Sequence, residues 1–462
     1  MSRPLIVPAV AFALALPACI INTSSDDEAE SSTSNADTTT TNTTPPTTTT
    51  VSDTTVTDTT VDTTIADSTD TSATDDSTGD TAGDVSPGLV YVAFRNLEGG
   101  DDGILLVDLD PQSPAFGTII QRVDIGTGVL PHHLYWNRDH TRLYATALGG
   151  ERLYEIHLTA GEMPGIDNIE ALDVGDNVVA EDIYFTEDGS RFYVTFMGGQ
   201  GAAVDGSVGV FDATTNALTN TILAPMGAPN DPFVIWPHGI SASEEMGFLV
   251  VTQTVAPDMS GAGNTITTID LATDTPIETF LVSTADDVFN VPVEVLALRE
   301  GLDPYMLVTT LGTGDIWIAP YDMDGPGEFT QAVVGADTEI GSALEMYVRE
   351  NSKGVRELFV SFGTPGLVNV YGLDMLPELP LLRTLDAAAG SHHIVFFESS
   401  DGTELAVIEN NLLNLDGLNA GTLTIRDVND NTLAGEIDLP TSDGLMVESI
   451  ESAFGTGYLL HH

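Results

Sequence analysis

The 462-residue chain has one cysteine, Cys19, one lysine, Lys353, and 13 basic residues in all against 70 acidic ones. A lone cysteine excludes an intrachain disulfide and any multi-thiolate metal site. With so few cations there is no basic patch to neutralise phosphates, which excludes nucleic acid as a partner. The formal net charge of −57 reads instead as a heavily solvated acidic surface. Beyond the N-terminal segment there is no apolar run long enough to span a bilayer and no long stretch of helical periodicity. A Walker loop, a Gly-x-Ser-x-Gly elbow and a helical His-Glu-x-x-His are also missing, so the chemistry these motifs carry has no local signature.

What is present begins with "MSRPLIVPAVAFALALPACIINTSSDDEAE": one arginine, a short apolar stretch, small residues, then a polar acidic tract. This is the pattern of an exported protein's signal peptide, residues 1–18. Leu16-Pro17-Ala18-Cys19 resembles a bacterial lipobox, in which the cysteine is diacylated, so Cys19 is expected to anchor the chain to the cell envelope and leave no free thiol. Residues 19–86 are mostly Thr, Ser and Asp, as in "TTTTNTTPPTTTTVSDTTVTDTT". Such a segment cannot bury enough surface to offset its ordering entropy and is read as a disordered tether.

From residue 87 to 462 the pattern changes to short alternating strands separated by Asp-Gly, Gly-Gly and Asn turns. "PHHLYWNRDHTRLYATAL", "AEDIYFTEDGSRFYVTFM", "WPHGISASEEMGFLVVTQ", "PVEVLALREGLDPYMLVTT", "ALEMYVRENSKGVRELFVSF" and "SHHIVFFESSDGTELAVI" align as one motif. A polar pair precedes a short apolar strand, a turn follows, and a second strand ends in Val or Thr in most copies. Several copies continue into a hairpin, which makes four strands in about 50 residues, the unit of a β-propeller blade. "MVESIESAF" looks like the first strand of a seventh blade whose other three strands are N-terminal. The fold class is therefore all-β, a seven-bladed propeller closed by strands from both ends of the chain, leaving no open edge.

Read round the ring, the polar pairs are His132-His133, Glu181-Asp182, His238-Gly239, Val293-Glu294, Leu344-Glu345, His392-His393 and Glu448-Ser449. Five of the nine histidines thus converge on one mouth of the channel. Strand alternation aims one member of each pair inward unless the pair lies in a loop. Imidazoles beside carboxylates, with no thiolate, suit copper or zinc better than calcium, with His132, His133, His238, His392 and His393 as ligands. The competing reading is a wet channel whose polar residues satisfy strand ends and trapped water. His140 and His157 fall off the motif, and His461 and His462 end the chain, where chains fray.

"PHHLYWN", "ERLYEIHL", "IWPHGISAS", "NVPVEVLAL" and "GTLTIRDVN" occur in the order and spacing of segments in the selenium-binding protein/methanethiol oxidase family, which the chain resembles over most of residues 88–450. The resemblance implies a copper-dependent oxidase of a small thiol. It places His132, His133 and His238 on histidine positions of the family and Glu294 on a glutamate. Where the family has His-x-x-His on blade two, this chain has Ala180-Glu181-Asp182-Ile183, and His392 and His393 complete the site from blade six. In this reading Glu181, Asp182 or Glu294 relays protons. Two other classes remain open: a non-catalytic surface module with Tyr-Val-Thr-Asn-type repeats that captures a surface ligand, and a lactonase-like hydrolase with an axial calcium or zinc ion. In each the small-molecule or surface ligand meets the channel mouth, and the membrane is reached only through the lipid.

Overall fold

A computed structural model describes residues 85–149, 152–159, 163–198, 206–223, 234–256, 261–283, 290–299, 301–335, 340–455 and 457–461. The expected signal peptide, Cys19 and all of the expected tether but Val85 and Ser86 lie outside the described residues. Among the described residues no helix is long and apolar enough to cross a membrane.

Seven antiparallel sheets are arranged as blades. From the axis outward, blade one is Pro131–Trp136, Leu143–Ala147, Leu153–Leu158 and Ile166–Ala171. Blades two, three and four start from the inner strands Ala180–Phe185, Pro237–Ser243 and Pro292–Ala297. Blades five and six start from Gly341–Glu350 and Ser391–Glu398. Blade seven joins the C-terminal strand Leu445–Ser452 to Leu89–Asn96, Asp102–Asp108 and Ile119–Gly126. This is the closure that the sequence pattern predicts. The burial gradient explains the strand text. Inner strands are covered on both faces by neighbouring blades and bury every residue of Pro131–Trp136 and Ala180–Phe185, whereas an outer strand such as Ile119–Gly126 alternates half-buried with exposed.

Blades are tied together by large apolar side chains and by a few directional bonds. Phe185, Phe192 and Phe211 of blade two form one cluster with Tyr144 of blade one. The Trp136 indole N–H donates to the Ser452 carbonyl at 2.9 Å, joining blades one and seven. Asp110, which follows the third strand of blade seven, accepts from the Ser399 and Ser400 hydroxyls of blade six at 2.5 and 2.8 Å.

The start of each inner strand has a feature that the sequence pattern does not reveal. In blade one Pro131 pairs with Ala147 and Leu134 with Ala145, so the inner strand takes three steps where its partner takes two. The same slip brackets the polar pair in blades two to six. This is a β-bulge, and it removes strict alternation, so both members of a pair can turn toward the axis. Two residues before each of these pairs the backbone is left-handed, at Leu130, Val179, Trp236, Val291, Ser342 and Gly390. For the valines this is a strained conformation that only surrounding contacts can hold. Backbone bonds supply them, from Met197 N to the Val179 carbonyl and from Leu311 N to the Val291 carbonyl, each 2.9 Å, and second-strand hydroxyls brace the bulge that follows. Thr146, Thr195, Thr309 and Ser361 accept the N–H of His133, Asp182, Glu294 and Glu345. Thr195 and Thr252 donate onward to the carbonyls of His238 and Val293 in the next blade, at 2.6 and 2.7 Å.

The chain end is ordered, contrary to the expectation of fraying. Leu460–His461 pairs with the inner edge of blade five, Val348 with Leu460 and Tyr347 with His461. Leu460 is buried, and the His461 ring stacks on Tyr347 at 4.3 Å. The edge offered by an inner strand is thus used by the protein's own tail.

Closure and tail separate in a truncation experiment. Ending the chain after Leu439 removes the inner strand of blade seven and is expected to abolish cooperative unfolding. Ending it after Phe454 removes only the tail and is expected to preserve a single transition at lower Tm. A cooperative transition in the shorter protein would contradict closure through Leu445–Ser452.

Candidate metal centre

The bulges bring the predicted residues together in two groups. His133, Glu345, His392 and His393 each offer a ligand atom within 4.8 Å of one another, and so do His132, Glu181 and His238. All five predicted histidines therefore meet at the channel, but in two sets. The blade-one pair is divided between them, with ring centroids 4.2 Å apart.

In the first set Glu345 is central. Its Oε1 lies 3.2 Å from His392 Nε2 and 3.8 Å from His393 Nδ1, and its Oε2 lies 2.9 Å from His461 Nε2. The rings of His133 and His393 are 4.7 Å apart and those of His392 and His393 are 4.0 Å apart. His133 Nδ1 is 2.6 Å from the Tyr135 hydroxyl, which fixes the ring and leaves Nε2 as its other nitrogen. His393 Nε2 and His392 Nδ1 are buried and make no hydrogen bond. Burial, reinforced by the neighbouring imidazoles, pushes His133 and His393 well below the ordinary histidine range, so both rings are neutral and keep a lone pair.

The second set is held differently. Glu181 Oε2 lies 3.2 Å from His132 Nε2 and 3.6 Å from His238 Nε2, and His238 Nδ1 lies 2.9 Å from Glu294 Oε1. Burial disfavours a charged His238, but the Glu181 and Glu294 carboxylates outweigh it and raise the ring to about 9. Asp182, expected beside Glu181 as a proton relay, is engaged elsewhere. Its Oδ1 accepts from Ile183 N at 2.6 Å and its Oδ2 from Ile240 N at 2.8 Å, and it also meets the Tyr135 hydroxyl. It ties blade two to blade three and meets the hydroxyl of Tyr135, the residue that contacts His133.

Three features of the site escaped the sequence reading. His461 was assigned to a frayed end and instead touches Glu345. Glu409 occupies the second-strand place that Thr146, Thr195 and Thr309 hold in other blades. Its Oε2 is 3.4 Å from His393 N and 3.9 Å from His392 Nδ1. Burial, with Glu448 nearby, pushes its carboxyl well above the usual range. The break in an otherwise Thr-containing column was the available signal. Thirdly, the loop after Asn410 crosses the channel mouth from blade six. Asn411 donates to the Val447 carbonyl at 2.7 Å and Asn414 to Glu448 at 2.9 Å, while Leu412 buries itself with Val293 and Leu344 of blades four and five. One arc of the mouth is therefore apolar. On the other side His133 and His393 line a tight cavity bounded by Tyr458 and His461, with about 10 Å³ open to the centre of a water molecule, roughly one water.

No protein-family model matches the chain and no curated protein matches it. Solved structures do. A hypothetical selenium-binding protein from Sulfolobus tokodaii aligns with a TM-score of 0.63 at 14% identity, over 80% of this chain and 95% of that one. The periplasmic gluconolactonase of Pseudomonas aeruginosa gives 0.51 at 11% identity, over 76% and 96%. A putative 6-phosphogluconolactonase from Bacteroides fragilis gives 0.50 at 11%, over 79% and 98%. At such identities the likeness shows the fold, a propeller distantly resembling the selenium-binding proteins, and leaves the chemistry to the site.

The tail's seat is sensitive to pH through Glu451, whose carboxylate oxygens receive the Ser452 N–H at 2.8 Å and the Tyr458 O–H at 3.1 Å. Burial raises its carboxyl from 4.5 to about 8. The folded state therefore holds a proton that the unfolded chain releases near 4.5, so this contribution to stability is complete below 4.5 and is lost as pH rises to about 8. Glu451→Gln is expected to flatten the decline of Tm across that window. A decline as steep as in the unaltered protein would show that Glu451 is not its source.

Proposed function

We propose that the protein is a metal-binding propeller anchored to the cell envelope, holding copper with His133, His392, His393 and Glu345 and oxidising a small thiol such as methanethiol. The observation that carries this reading is the His393 Nε2 atom, buried without a hydrogen bond among neutral imidazoles and a carboxylate. A buried donor or acceptor left unbonded costs roughly 1–3 kcal/mol, and a metal ligand explains why it persists. Three imidazoles and one carboxylate without thiolate fit a borderline cation such as copper. When bound, copper supplies the one-electron redox chemistry that side chains of this chain lack.

The remaining groups have definable tasks. Tyr135 orients His133. Glu409, protonated through its burial, offers a proton beside His392 and His393. Leu412, Val293 and Leu344 shield the histidines and favour an uncharged, apolar substrate. A lactonase-like metal hydrolase is the second reading, supported by the likeness to the two lactonases and by the carboxylates Glu181 and Glu294 beside His238.

The deciding experiment is metal analysis of untagged protein together with oxygen uptake on methanethiol. Bound copper and thiol-dependent uptake, both lost in a His133→Ala/His393→Ala double variant that still melts cooperatively, are expected. Calcium or zinc with lactone hydrolysis would select the second reading, and absence of any metal would leave a binding module. Anchoring is tested separately. Cys19→Ser is expected to move the protein from the detergent phase to the aqueous phase, and unchanged partitioning would remove the lipid from the proposal.

A further inference from the structure

The second set of residues is more than an outer layer of the first. His132, Glu181 and His238 come from three consecutive blades and are all buried. The separations from Glu181 Oε2, 3.2 Å to His132 Nε2 and 3.6 Å to His238 Nε2, bracket the spacing of atoms that share one ion at bonds of about 2.0–2.1 Å. A bond to His132 accounts for the first separation, but the second, 3.6 Å to His238 Nε2, is too long for a hydrogen bond. One carboxylate oxygen facing ring nitrogens from two other blades, with all three ligand atoms within 4.8 Å of one another, is the arrangement expected of ligands converging on a common point.

The surroundings are built to aim His238. Its Nδ1 sits 2.9 Å from Glu294 Oε1, the carboxylate–imidazole pairing that orients a ligating histidine and makes its other nitrogen a better donor. Gly239 gives Glu294 the room to do so: a Cβ there would collide with the Glu294 carboxylate and the Val293 carbonyl. The backbone at Gly239 is not left-handed, so the glycine is required for space rather than for conformation.

We propose that His132, Glu181 and His238 form a second metal site, distinct from the one at His133, Glu345, His392 and His393, which takes a divalent cation of the zinc class with two nitrogen ligands, one oxygen ligand and a position left open. This goes beyond the function proposed above and does not depend on copper at the first site. It also gives the adjacent histidines of blade one separate tasks, since the bulge sends one imidazole to each centre.

The test is ion stoichiometry in the full-length protein, stripped with a chelator and loaded with Co²⁺ and then, separately, with Zn²⁺. Bound metal is counted after gel filtration, and the Co²⁺ absorption bands are recorded. Two ions per chain are expected, falling to one in His238→Gln and in Glu181→Gln, and to one with a different Co²⁺ spectrum in His393→Gln. One ion in the unaltered protein, or two retained in both His238→Gln and Glu181→Gln, overturns the second site. If only His393→Gln loses an ion, the second site falls and the first centre stands. If only His238→Gln and Glu181→Gln do, the second site stands and the first centre falls. Thermal melts of each variant identify any that has not folded, and the count in the unaltered protein is decisive by itself.

Discussion

The bulge at the head of the inner strands is the constraint on which the site depends. An unbroken strand would point one residue of each pair at the axis and the next into the neighbouring blade. The extra residue, set off by a left-handed residue two positions earlier, frees both members of a pair from that alternation. Left-handed valine is unfavourable by itself, so something must hold Val179 and Val291 there. Backbone bonds from Met197 and Leu311 to their carbonyls do so, and Thr195 and Thr252 donate onward to the carbonyls of His238 and Val293, so the brace runs from blade two through blade three to blade four. Ring closure and site geometry are therefore one problem. Opening blade seven would release the braces and scatter imidazoles that are distant in sequence.

Within that frame, identity at a few positions decides what the axis can do. A Thr column gives neutral bracing, and Glu409 in place of Thr adds a titratable group next to two histidines. Val293 and Leu344, where other blades carry histidine or an acid, give one arc of the ring an apolar surface that Leu412 covers. The same backbone device thus produces a histidine-rich arc, an apolar arc and a titratable position from substitutions at equivalent places, as expected when function is placed on a repeated scaffold.

The blade unit and its closure were legible because strand length, turn residues and the 50-residue period all reflect local chemistry. The convergence of His132, His133, His238, His392 and His393 followed from equivalent motif positions and needed only the ring. The division into two sets was not legible, since it depends on how a bulge rotates His132 away from His133, and no residue type announces a left-handed Leu130 or Val179. Asp182 looked like Glu181's equal, but which carboxylate meets an imidazole and which meets Ile240 N is settled by backbone direction. His461 was misread because a terminal histidine has no periodicity around it. Its docking rests on the free inner edge of blade five and on Tyr347, tertiary facts with no local trace.

The surface charge narrows the chemistry further. A formal net charge of −57 sets up a field that draws cations toward the protein and repels anions over about a Debye length, ~8 Å at physiological salt. A phosphorylated or carboxylated substrate would approach against that field and then meet Leu412, Val293 and Leu344 on one arc of the mouth, where apolar side chains do not replace its hydration. An uncharged molecule meets neither obstacle, and a metal cation is attracted throughout. Inside the channel the buried carboxylates Glu181, Glu294 and Glu345 face imidazoles rather than water, as the low dielectric requires of a buried charge. The long-range field and the short-range donor set thus favour the same kind of guest: they are permissive to a cation or a small neutral molecule and unfavourable to an anion.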